Sequence, residues 1–122
     1  IFTAAALNVK YKGQQYVIRA MKILKDKGIN CTYYLAGRGD STYLEKVAEK
    51  YGVRDNIKIL GRLQQKEVVE FEQKVDFYIQ PSLQEGLPRS VIEAMSQGLI
   101  CLGSDIAGDR KSICLKRKII KR

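Results

Sequence analysis

The sequence predicts an α/β fold: a Rossmann-like, doubly wound parallel sheet. Three observations predict it. Short apolar runs alternate with amphipathic stretches of helical period from residue 1 to residue 104. Their order is β-α-β-α-β-α-β-α-β, which implies parallel strands with helices on both faces. Gly28, Pro81 and Gly98 stand at segment ends rather than inside them. Right-handed crossovers then give the doubly wound form.

The elements follow in order. "IFTAAAL" (1–7) reads as a buried strand. "KGQQYVIRAMKILKDKG" (12–28) reads as a helix, with Val17, Ala20, Met21 and Leu24 on one face and Lys25, Lys27 and Gly28 suited to its end. "CTYYLAG" (31–37) is a strand of β-branched and aromatic residues, followed by a Gly-Arg-Gly-Asp turn. "STYLEKVAEKYG" (41–52) is a helix with Thr42 and Glu45 spaced as a capping box and with Leu44, Val47, Ala48 and Tyr51 as its apolar face. "NIKILG" (56–61) is a strand, "KEVVEFEQK" (66–74) a short helix, and "DFYIQ" (76–80) a strand stopped by Pro81. "PRSVIEAMSQG" (88–98) is a helix with Pro88 at its first position, and "LICLGS" (99–104) is the last strand. Ligands of such sheets sit off the carboxyl ends of the strands. Loops 8–13, 37–41, 61–65, 80–88 and 103–109 are therefore the candidate site.

Composition narrows the function classes. The 122 residues suffice for one domain, and 45% hydrophobic content supports a packed core. No apolar run approaches the ~18–20 residues of a membrane span. The start has neither an initiator Met nor the basic leader of a signal peptide, so the sequence reads as an excised piece. Three widely spaced cysteines and no histidine leave no material for a zinc site or a Cys-His nucleophile. They fit a reducing, cytoplasmic compartment, with Cys31 and Cys101 as small core residues. Of the 22 basic residues, 7 lie in 109–122, where Asp109 is the lone acid; residues 1–108 carry only +3 of the net +9. The basicity is thus a property of the tail, and a nucleic-acid partner is not expected. Two domains of behaviour follow: a folded unit over 1–108, and an atypical basic tail over 109–122. The tail reads either as disordered or as a basic amphipathic helix making peripheral contact with an anionic membrane.

The stretch "PSLQEGLPRSVIEAMSQGLICLGSDIAG" (81–108) carries two glutamates, Glu85 and Glu93, with seven residues between them. They stand in a setting with Pro81, Ser82, Gly86, Ala94, Met95, Gly98, Ser104 and Gly108. With "LAGRGDSTYLEKVAEKYGVRDNIKILGRL" and "KGQQYVIRAMKIL" upstream, this resembles the C-terminal, donor-binding domain of glycosyltransferase family 4 (group 1), retaining enzymes of the two-domain GT-B fold. The resemblance implies a nucleotide-sugar donor, with Glu85 toward the transferred sugar, Glu93 toward the ribose, and Lys12 toward the diphosphate. The helix N-terminus formed by Gly86, Leu87, Pro88 and Arg89 suits that diphosphate: its free N–H groups and dipole favour an anion. The basic residue that the family pairs with this Lys, an Arg, is replaced near Ala6 and Leu7; Lys10 is the substitute within reach, without the guanidinium's bidentate fork. Arg62 is either the base-holding residue that the resemblance implies or a plain surface Arg. Gly37 and Gly39 are either the rim of the donor cleft or a tight turn, and Asp105 reads as a turn residue. After Gly108 the family pattern fails.

What the resemblance implies is the donor-binding half of a hexosyltransferase-type enzyme of polysaccharide biosynthesis. It would transfer sugar from a nucleotide diphosphate to a glycan or lipid-linked acceptor, with no metal or other cofactor. The partner required for turnover is an N-terminal acceptor domain, which this sequence lacks. The isolated chain is therefore expected to bind nucleotide and transfer no sugar. The competing reading is a non-catalytic nucleotide-binding fragment.

Overall fold

Alternating side-chain direction along each strand builds this molecule. In the computed structural model, which describes residues 1–105, Tyr33 and Leu35 point to one face of the sheet, and Tyr34 and Ala36 to the other. Both faces are apolar, so both must be covered, and the helices cover them. The strands are β1 (Phe2–Ala4), β2 (Tyr33–Ala36), β3 (Ile57–Gly61), β4 (Phe77–Gln80) and β5 (Ile100–Gly103). The helices are α1 (Gln14–Asp26), α2 (Thr42–Lys50), α3 (Gln65–Glu72) and α4 (Arg89–Ser96). All four pairings are parallel, in the order β3-β2-β1-β4-β5. The predicted fold class is the observed one.

One face, under α1 and α2, is filled by Leu7, Val17, Ile18, Met21, Tyr33, Leu35, Leu44, Ala48, Val53 and Ile57. The other, under α3 and α4, buries Phe2, Ala36, Tyr78, Val91, Ala94 and Cys101, with Phe71 stacked on Phe2 at 5.8 Å. A buried tie crosses the sheet: Tyr33 donates to Thr3 Oγ1 (2.8 Å), which donates to the Ile79 carbonyl (2.6 Å).

Several boundaries differ from the sequence reading. The first strand is three residues long, because the chain turns outward after Ala4 to form the ligand-edge loop. Lys12 belongs to a short 3-10 turn (Lys10–Lys12), and α1 starts only after Gly13 (φ 78°), where the left-handed backbone breaks the helix. The buried stripe of α1 is Gln14, Val17, Ile18 and Met21; Ala20 is exposed. Ala20 instead lines an open pocket of about 310 Å³ with Val17, Ile79, Pro81 and Leu102, since none of the described helices covers the β4–β5 side of that face. The α1 terminus is as expected: Gly28 (φ 76°) follows Lys27, and the Ile29 amide returns to the Leu24 carbonyl.

The Thr42–Glu45 capping box does not form. Thr42 is the first helical residue, and Asp40 caps it, accepting its amide (2.9 Å) and its hydroxyl (2.6 Å). Reciprocal capping by an acid occurs instead at α3, where the Gln64 amide donates to Glu67 (2.7 Å). Pro88 is the residue before α4 rather than its first position: its ψ of 92° is extended, and its carbonyl accepts the Val91 amide. Cys101 is buried in β5, whereas Cys31 is half-buried ahead of β2, packed against the first core. The basic tail and Gly108 lie outside the described residues.

Candidate functional site

In the order 3-2-1-4-5 the chain's direction of winding reverses between β1 and β4. A crevice opens there because the loops after these two strands leave in opposite directions. Here the two loops are held together. The Leu83 amide donates to the Tyr11 carbonyl (2.7 Å). Gly13 presses on the Pro81 carbonyl so closely that a Cβ at position 13 would collide with it. The second loop closes on the first in the same way: Gly37 lies against the Ala5 carbonyl, Gly39 against the Asn8 side chain, and the Leu7 amide reaches the Arg38 carbonyl (2.7 Å). Gly37 and Gly39 therefore have a packing role against the β1 loop.

Lys12 and Glu85 meet across this crevice, 73 residues apart in sequence. Lys12 Nζ lies 2.8 Å from Glu85 Oε1. The same oxygen accepts Gln80 Nε2 (2.8 Å) and Ser82 Oγ (2.7 Å). Burial pushes the Glu85 carboxyl up, but the Lys12 hydrogen bond and charge, with Ser82 and Gln80, outweigh it and hold the pKa below the ordinary carboxylate value. Glu85 is thus an anion held in one orientation. Beneath it, the buried Gln80 takes the Tyr78 hydroxyl (3.2 Å) and Ser90 (3.4 Å) on Oε1, and the Tyr78 hydroxyl accepts the Ala4 amide (3.2 Å). The network ties β1, β4 and the first turn of α4 to a single carboxylate.

The start of α4 lies directly after this loop. Neither a side-chain cap nor an acidic residue occupies its first turn, so its leading amides and dipole are available to an anion. Gly86 has open space where a Cβ would point, and Leu87 and Arg89 are exposed. Glu93 lies one turn into α4, half-buried, on the side of α3: its charge acts on Glu72. Lys10 does not approach Glu85; its ammonium stacks over Tyr43, 4.5 Å from the ring centre. Arg62 is exposed after β3, the edge strand, two strand positions from β1. Asp105 sits exposed at a bend after β5.

The structure thus brings together Lys12, Glu85 and the α4 start. It sets Glu93 on the α3 side and Arg62 at the sheet edge. The sequence reading missed Gln80, Tyr78, Ser90 and Glu72. Glu72 had a readable signal: with Val68, Phe71 and Val75 it occupies i, i+4 and i+3, i+7 stripe positions, so a helix there must bury it. Among the described residues no cluster of three or more acids, cysteines or histidines could hold a metal ion, and no helix is long and apolar enough to cross a membrane.

A family model described as Glycosyl transferases group 1 matches residues 1–118. Protein CapJ of Staphylococcus aureus is 33% identical over 106 residues, covering 86% of this chain and 27% of CapJ. Among solved structures, WaaG, a glycosyltransferase involved in lipopolysaccharide biosynthesis, superposes with a TM-score of 0.86 at 24% identity, over 98% of this chain and 32% of WaaG. HepE of Anabaena, in complex with UDP and glucose, gives a TM-score of 0.74 at 21% identity, over 90% of this chain and 30% of HepE. The two structural likenesses carry the fold: this sheet is that of a GT-B glycosyltransferase domain. The chain spans about a quarter of the length of the curated relative.

Proposed function

The chain belongs to the group 1 glycosyltransferases, and from that premise we propose that it is the nucleotide-sugar-binding domain of a retaining enzyme. The observation that carries the reading is the Lys12–Glu85 pair at the β1/β4 crevice, beside the uncapped start of α4. A diphosphate is the ligand this arrangement suits, because the helix dipole and Lys12 both supply positive potential to one edge. Binding of UDP and glucose by HepE supports a nucleotide-sugar as the donor class. Glu85, ionised and fixed by three donors, would accept hydrogen bonds from the sugar hydroxyls. Glu93 would accept those of the ribose, and Arg62 would lie toward the base. No metal is needed in this reading, since the helix start and Lys12 neutralise the leaving diphosphate. Transfer to a glycan or lipid-linked acceptor would require the remaining three quarters of the relatives' length, so the isolated chain binds donor without turning it over.

Calorimetric titration of UDP and of inorganic pyrophosphate into the chain tests this. Lys12→Ala is expected to weaken both ligands, and Glu93→Ala only UDP, because its partner is the ribose. Equal losses for both ligands in Glu93→Ala would remove the ribose assignment, and steady sugar transfer by the isolated chain would overturn its reading as a donor half.

A further inference from the structure

Glu72 is the one charged residue among the buried polar side chains of the described structure: it is 1% exposed at the end of α3. Neither of its oxygens has a hydrogen-bond partner, and no lysine or arginine pairs with it among the described residues. Burial pushes its pKa up, and the neighbouring Glu93 carboxylate adds to the rise, to about 7. Its own charge in turn acts on Tyr78 of β4. Glu93 of α4 and Tyr78 of β4 are the titratable groups whose charges couple to it; the Tyr34 phenol and the Cys101 thiol lie in the same cluster, and the rest of that face is apolar, with Phe2, Val68, Phe71, Val91 and Ala94.

An unpaired buried carboxylate is costly, and a native fold retains one only for a reason. The neutral acid costs far less and differs in one respect: it has an O–H to donate. The group beside it is Glu93, an acceptor-only anion. Two carboxylates side by side repel, whereas a buried neutral acid can donate its O–H to the Glu93 carboxylate and hold it in one orientation, leaving the other Glu93 oxygen to accept from a ribose hydroxyl.

We propose that Glu72 is a positioning residue for the nucleotide's ribose. Neutral, it donates to Glu93 from the α3 side and holds that carboxylate toward the ribose; ionised, it repels both Glu93 and the ligand's negative charge, so nucleotide affinity falls as the pH rises. This rests on the ribose role of Glu93 proposed above, and it makes donor binding responsive to protons near neutrality.

Two measurements test it. Carbon-13 NMR of carboxyl-labelled glutamates identifies the Glu72 resonance as the one lost in Glu72→Gln. The expected midpoint is near 7 in the unmodified chain and lower in Glu93→Gln; titration together with the ordinary carboxyls would overturn the proposal, whatever the ligand. UDP titrations of the unmodified chain and Glu72→Gln at pH 6 and pH 8.5 then read the function, and their ratio cancels the ligand's own titration. Nearly equal affinities are expected at pH 6. At pH 8.5 the unmodified chain should bind roughly tenfold more weakly, the equivalent of one pKa unit of coupling. Glu72→Leu, which has no donor, should bind weakly at both pH values while Glu72→Gln rescues it. A pH-independent ratio, with UDP binding intact and sensitive to Glu93→Gln, would overturn the proposal alone. Failure of UDP to bind the unmodified chain at either pH would overturn the nucleotide reading and the ribose role of the pair with it.

Discussion

The two faces of the sheet are built on different terms. Under α1 and α2 the core is almost wholly apolar, and its buried polar residues, Thr3, Tyr33 and Gln14, are all paired: Gln14 reaches the Ala6 carbonyl (2.9 Å), and the one buried polar atom of α1 left without a partner among the described residues is the neutral Gln15 Oε1. Under α3 and α4 the core is interrupted by Glu72, whose two oxygens are unpaired, and it merges at the carboxyl edge with the Tyr78–Gln80–Glu85 network. The first face is held by packing, which is indifferent to pH. The second holds ionisable groups whose charge state depends on their neighbours. The difference teaches that one thin sheet can keep pH-indifferent packing on one side and an unpaired ionisable group on the other.

That contrast can be broken experimentally. The largest effect belongs to the α1/α2 face: Leu35→Ala should cost about 3 kcal/mol, the usual price of a buried Leu truncation, with the same loss at pH 5 and pH 8.5 in denaturant titrations. On the other face, Glu72→Gln should stabilise the chain by about 2 kcal/mol at pH 8.5, because it removes an unpaired buried charge. The sign follows from its raised pKa. The folded form holds the Glu72 proton up to about pH 7, whereas the unfolded chain releases it at the ordinary carboxyl pKa. Stability is therefore intact below that ordinary value and is lost as pH rises through 7. The gain from Glu72→Gln should accordingly vanish in thermal melts at pH 4.5; a constant gain would place its origin in packing instead.

At the crevice, Lys12→Ala should cost about 1 kcal/mol at pH 7. Glu85 is depressed in the fold, so its contribution is present above the ordinary carboxyl value and disappears as pH falls through the folded one. The Lys12→Ala deficit should shrink in acid melts, opposite in direction to the pH dependence of Glu72. The smallest effect, about 0.3 kcal/mol, is expected for Lys22→Ala, which breaks the exposed Lys22–Asp26 pair (2.7 Å) on α1; a loss as large as that of Lys12→Ala would erase the distinction between crevice and surface.

Much of this molecule was legible in the chain. Hydrophobic period and its punctuation determined nine elements, their order and the parallel, doubly wound class, because a strand buried on both faces and a helix buried on one stripe write different patterns. Helix stops at Gly28 and Gly98 were equally legible, since a left-handed backbone position demands glycine. The Glu85–Glu93 spacing marked where to look. Tertiary structure alone decided what those residues touch. That Lys12 reaches Glu85, and that Gln80, Ser82 and Tyr78 orient it, depends on β1 and β4 lying side by side, a pairing made by the crossover and not by local sequence. The stripe of Val68, Phe71 and Val75 buries Glu72, but only the packing of α3 against the sheet beside α4 sets it facing Glu93 without a cation. A charge's pKa is fixed by what surrounds it in space, and sequence separation carries no record of that.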